Sequence, residues 1–238
     1  MTDGLTYFKE VYQNVPDWVQ IMHDYDPAML NCYTDIRGQA FKDSPALSAR
    51  EKDEFISSVN AGRLYGRSML YHAAAGAIKG STYCDLVEYY LVAYLYKGKA
   101  ALELSLQALA QFVGEEVKAE YPTLSDVLEQ IEAWSKEELP LVSGLKKLAG
   151  KGYDHTSPEV FSLLMGDGSV CSSRKYLNLV GQYVTELRGA EAKEAVEAAL
   201  AHGVTQAELA ELGYIVMITA GVPSWFELSD HLEKKEGQ

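Results

Sequence analysis

The stretch "AIKGSTYCDLVEYYLVAYLYKGK", residues 77–99, decides how the chain folds. An amphipathic run ends at Gly80, Thr82 follows, Asp85 sits three residues later, and Gly98 closes the stretch. Glycine after a helical run supplies the left-handed backbone that stops a helix. Threonine just beyond it caps the next helix, and an acid three residues on completes a capping box and suits the positive end of the helix dipole. The residues therefore predict helix, tight turn, helix, with Gly98 as the second stop.

A second stretch, "ALAHGVTQAELAELGYIVMITAGV" (199–222), carries the same marks. Gly80 matches Gly203, Thr82 matches Thr205, Asp85 matches Glu208, and Gly98 matches Gly221, each 123 positions apart. Leu86 and Leu209, and Glu88 and Glu211, match at the same offset. Chance gives one such hairpin; two at a constant offset predict a tandem pseudo-repeat. The remainder also reads helical. Ser48 caps "SAREKDEFISSVN", "TLSDVLEQIEAWSKEEL" has apolar residues at helical spacing, and Pro27 and Pro158 sit at first turns. Strand alternation and hairpin turns are missing from the pattern. An all-α fold is expected, with a first copy over 1–120 and a second, degenerate copy over 121–238 forming one compact unit. Breaks are expected at "NAG" (60–62), "EYPTL" (120–124), "GKGYDHTSP" (150–158) and "GDGS" (166–169).

Bulk chemistry narrows the function. The 238 residues carry a net charge of −13, with 47% hydrophobic and 23% charged residues. Phosphate backbones and anionic membranes need clustered Lys and Arg, so neither nucleic acid nor membrane is an expected partner. No basic and then apolar leader opens the chain, and its most apolar stretch is too short to span a bilayer, which points to a cytoplasmic protein. Cys32, Cys84 and Cys171 form no close pair. They are expected as reduced thiols buried as small hydrophobes, and neither a disulfide nor a metal site is expected.

The segments "LSAREKDEF" (47–55), "H-x7-G-S-T-x-x-D-L" (72–86) and "GVTQAELAEL" (203–212), with Gly221 and Pro223, resemble the carboxymuconolactone decarboxylase and alkylhydroperoxidase D-like superfamily. The resemblance spans about residues 27–100 and 158–225. In the redox branch it implies Cys-x-x-Cys-x-x-x-His with an acid about five turns upstream. Here His72 falls on the histidine, Tyr65 and Ser68 on the two cysteines, and Asp53 or Glu54 on the acid. Peroxide reduction by that route needs a low-pKa thiolate and a resolving thiol, and neither Tyr nor Ser supplies one. The decarboxylase-like branch also lacks the cysteine pair. In the second copy Arg188, Glu191 and Ala195 take the positions of Tyr65, Ser68 and His72, so one site per chain is expected.

At about 100° per residue, Tyr65, Ser68, His72 and Gly76 share one stripe of a helix expected to start near Arg63. Arg67 and Tyr71 fall on the opposite stripe, which makes Arg67 an expected surface ion-pair donor. Tyr65 and Ser68 would lie in the first turns, where free N–H groups favour an anion. His72 can move a proton near neutral pH. Arg63, if still in the turn, Gly76 and Cys84 complete the expected substrate surroundings. The expected function is a cofactor-free lyase acting on a small, carboxylated, ring-derived compound, with His72 as acid/base. Two alternatives stand beside it: an alkylhydroperoxidase-like oxidoreductase working through the lone Cys84 thiol, and a non-catalytic oligomeric binding protein. The resemblance implies assembly as a homotrimer that mimics a hexamer, with another chain completing the pocket. The tyrosine-rich "YCDLVEYYLVAYLY" is expected to pack between helices or subunits.

Overall fold

The computed structural model describes residues 3–234, which form fourteen helices and no strand among the described residues. The helices are α1 (Gly4–Tyr12), α2 (Asp17–Tyr25), α3 (Pro27–Phe41), α4 (Ala49–Gly62), α5 (Gly66–Ile78), α6 (Tyr83–Lys97) and α7 (Lys99–Val113). They continue as α8 (Leu124–Trp134), α9 (Pro140–Ala149), α10 (Pro158–Leu164), α11 (Ser172–Thr185), α12 (Gly189–Ala201), α13 (Gln206–Ala220) and α14 (Val222–Ser229).

Local chemistry sets these boundaries. Ser48 with Glu51, Thr82 with Asp85, Thr123 with Asp126 and Thr205 with Glu208 each form a complete capping box. Gly80 and Gly203 adopt φ of +94° and +88°, the left-handed turns that part α5 from α6 and α12 from α13. One expected break moves. Helix α4 runs through "NAG" to Gly62, because Asn60 is held inside the helix by a bond from its Nδ2 to the Ile56 carbonyl (3.0 Å). The chain turns instead at Leu64 (φ +57°), and Tyr65 N–H returns to the Asn60 carbonyl at 2.8 Å. Tyr65 is therefore the N-cap of α5 and not a residue of its first turn.

The offset of 123 positions recurs in the helix boundaries. Helices α4, α5 and α6 begin and end 123 residues before α11, α12 and α13. Leu64 and Leu187 share a φ of +57°. Buried Lys52 on α4 pairs with Glu211 on α13 at 2.6 Å, while buried Lys175 on α11 pairs with Glu88 on α6 at 2.8 Å. Each lysine thus reaches across to the other set of helices. Each also donates to a carbonyl, Lys42 or Gly166, at 2.7 Å, so each buried cation has a carboxylate and a carbonyl as partners.

Two apolar clusters form the interior. One joins α5–α7 to α8–α10 through residues such as Met69, Tyr90, Leu106, Leu128 and Leu145. The other joins Phe41, Phe55, Ile56 and Tyr89 to α11–α14. Each draws residues from both sides of position 120. Tyr89, Tyr90 and Tyr94 of the tyrosine-rich stretch are core residues. A small third cluster around Phe8, Val19 and Leu30 holds α1–α3 together. The cysteines depart from expectation: all three are free, but Cys32 and Cys171 are exposed and Cys84 half-buried. Cys32 lies on an outward face of α3 and Cys171 at the cap of α11, where no apolar neighbour covers a small side chain. No helix of the described residues is long and apolar enough to cross a membrane.

Candidate functional site

Helices α4 and α5 form a tight hairpin that brings Asp53 to His72. Gly76 permits the close approach: a Cβ there would lie 2.8 Å from Ser81 Oγ and 3.8 Å from Asp53 Cβ. His72 Nδ1–H donates to Asp53 Oδ1 at 2.7 Å, and Lys79 Nζ donates to Asp53 Oδ2. Both carboxylate oxygens are thus engaged. Asp53 and His72 are 1% and 3% exposed. Burial pushes the Asp53 carboxyl up, but the His72 hydrogen bond and the charges of His72 and Lys79 outweigh it and hold it below its ordinary value. Burial, aided by the Arg37 charge, outweighs the Asp53 hydrogen bond at His72 and lowers the imidazole pKa. The ring is therefore neutral near pH 7. An ionised carboxylate only accepts, so the ring proton sits on Nδ1 and the lone pair on Nε2.

Nε2 faces Arg37 Nη2 of α3 at 3.4 Å; arginine only donates, which agrees with that tautomer. Arg37 also donates to the Tyr12 hydroxyl and, at 3.4 Å, to the Tyr33 hydroxyl. Its guanidinium lies 4.7 Å from the Phe41 ring centre, and Phe41 stacks on His72 at 5.0 Å. Tyr33, Arg37 and Phe41 are spaced four apart on α3, so one helix face delivers all three.

A cavity of about 330 Å³ opens beside this group. Arg37, His72 and Ser68 form its polar wall, and aromatic side chains of α1, α2 and α5, among them Phe8, Tyr12 and Trp18, form its apolar wall. Ile218 and Thr219 of α13 line another side. Ser68 Oγ accepts from Asn60 Nδ2 at 3.0 Å, and Asn60 Oδ1 accepts from Thr219 at 3.2 Å. That chain of bonds leaves the Ser68 hydroxyl proton free to donate.

The remaining expected residues divide. Tyr65 stands at the rim, 49% exposed. Glu54 points away from His72 into a separate cavity beside Asp85 and Arg174, so the acid partner is Asp53. Burial raises the Glu54 pKa to about 7. Arg63 does not line the His72 cavity; it bonds Glu186 and the Thr219 carbonyl, both at 3.1 Å, and pins the end of α13. Gly76 serves helix approach and does not line the cavity. Cys84 lies in another cavity with its Sγ 3.5 Å from Glu137, and burial together with that carboxylate pushes the thiol up to about 11. Arg67, expected on an outer stripe, is exposed there and lines the cavity mouth that α1 forms by docking against α5.

Lys79, Arg37 and the residues of α1 and α2 escaped the sequence reading. Lys79 had a signal, since it follows His72 by seven residues and so shares its helix face. At the matching positions of the second set of helices Tyr176 and Ala195 replace Asp53 and His72, so one such dyad exists per chain among the described residues. No protein-family model matches the chain, and neither does any curated protein.

Proposed function

We propose that the protein is a cofactor-free lyase of the carboxymuconolactone decarboxylase-like kind, acting on a small, carboxylated, ring-derived compound with His72 as acid/base. The observation that carries this is the 2.7 Å bond from His72 to buried Asp53 at the wall of an open cavity. Asp53 fixes the imidazole tautomer and stabilises the imidazolium formed when Nε2 takes a proton. The C–C bond to the substrate carboxylate breaks, carbon dioxide leaves, and the bonding pair passes into an adjacent carbonyl. The Ser68 hydroxyl faces the developing oxyanion. The imidazolium then returns its proton to carbon or to the leaving group.

An open cavity supports this reading over that of a binding protein that has lost its site. Thiol chemistry draws no comparable support, since Cys84 is in a different cavity and its thiol is pushed up to about 11. Assembly as a homotrimer, and a place in the cytoplasm, belong to the same proposal and rest on the family resemblance. The test is turnover of ring-derived lactone and keto acids in D2O, followed by NMR for deuterium entering carbon and for carbon dioxide release. His72→Ala protein should show neither; deuterium entry at the wild-type rate would sink the assignment.

A further inference from the structure

We infer that the cavity holds an organic monoanion with a flat, unsaturated ring, and that its carboxylate pairs with Arg37. The inference names the ligand class of the site proposed above and rests on the reading of that cavity as the substrate site.

Arg37 is 6% exposed and carries a permanent charge. A buried charge needs a counter-charge or dense hydrogen bonding to persist. Elsewhere the protein obeys this: buried Lys52 and Lys175 each meet a carboxylate, at 2.6 and 2.8 Å. Arg37 does not. Its partners are the Tyr12 and Tyr33 hydroxyls and the neutral His72 ring, and its Nε has no partner at all. Asp53, the acid beyond His72, has one oxygen on His72 and the other on Lys79. The guanidinium therefore sits at the cavity wall with unmet donor capacity and no counter-ion among the described residues.

The rest of the cavity selects the anion. Phe41 seals one face of the guanidinium, and Nη1, which donates only to Tyr33, keeps one hydrogen for a charge-assisted bond to a carboxylate in the cavity. Phe8, Tyr12 and Trp18 present aromatic surface suited to a ring. A space of about 330 Å³ fits a small ring acid. Arg37 is the one buried cation lining it; Arg67 stands at the exposed mouth, where water screens it.

Benzoate is the probe, with benzamide as its neutral isostere and inorganic phosphate as a ringless anion. Binding to wild-type, Arg37→Gln and Cys84→Ala protein is read by calorimetry, and melting temperature without ligand by circular dichroism. Benzoate should bind wild type at least ten times more tightly than benzamide or phosphate. Arg37→Gln should lose that preference, and Cys84→Ala, whose side chain lies in a different cavity, should keep it. Without ligand, Arg37→Gln should melt no lower than wild type, because it removes an uncompensated buried cation; a purely structural arginine would lower the melting point. Equal binding of benzoate and benzamide by wild type, unchanged benzoate binding by Arg37→Gln, or tighter binding of phosphate would overturn the inference. If Arg37→Gln does not fold, the arginine is structural and the inference also fails. Binding is measured without turnover, so an inactive His72 leaves these outcomes intact.

Discussion

Replacing Glu54 with glutamine should stabilise the protein above neutral pH and do little in acid. Glu54 is 1% exposed, its Oε1 has no hydrogen-bond partner, and the nearest cation, Arg50, stands 3.9 Å away. Burial dominates, and the carboxyl rises from 4.5 to about 7. The folded state therefore holds its proton where the unfolded state has released it. For an acid raised in this way, the stabilising contribution is complete below the unfolded pKa and disappears as pH climbs through the folded pKa. Each unit of difference corresponds to about 1.4 kcal/mol, so ionising Glu54 above pH 7 costs roughly 3 kcal/mol of stability relative to acid. Glutamine keeps the shape and never ionises. Urea unfolding at pH 4.5, 6 and 8 should show Glu54→Gln more stable than wild type by about 2–3 kcal/mol at pH 8, the gap narrowing below about 0.5 kcal/mol at pH 4.5. Parallel pH profiles, or a variant less stable at pH 8, would refute the burial argument.

Two further outcomes follow from the same geometry. Glu211→Gln removes the carboxylate from buried Lys52 and should cost about 3 kcal/mol in chemical denaturation; Glu88→Gln should do the same to Lys175, and a loss below about 1 kcal/mol in both would contradict the crossed pairing. Mass-spectrometric labelling with a thiol alkylator at pH 7.5 should modify Cys32 and Cys171 first, with Cys84 lagging because its thiol stays protonated until about pH 11.

Capping was legible in the sequence because it is local chemistry: Ser or Thr followed by an acid at the third position fixes a helix start whatever packs around it. The cap expected at Ser48 and the capping boxes expected at Thr82 and Thr205 are all present. The histidine and the acid were legible as a pair, but the choice between Asp53 and Glu54 was not. Adjacent helical residues differ by about 100° in direction, so a one-residue shift at the α4–α5 turn exchanges one acid for the other. The true turn at Leu64 depends on Asn60 staying helical, which only its tertiary partners Ser68 and Thr219 reveal. Arg37 and the aromatic wall were hidden for a related reason. Nothing local says that α1–α3 fold back against the α4–α5 hairpin; Arg67 stays exposed, as its stripe implies, but at the mouth of the cavity those helices create.

The most direct measurement is the pH dependence of kcat/KM for a ring-derived acid in wild-type, Asp53→Asn and His72→Ala protein. The lowered His72 pKa requires activity to rise with pH through a midpoint below the ordinary histidine value of 6.5. Asp53→Asn should lose about 10²–10⁴-fold at the plateau, and His72→Ala should show no pH-dependent rate at all. A His72→Ala enzyme with the wild-type profile would place the chemistry elsewhere in the molecule.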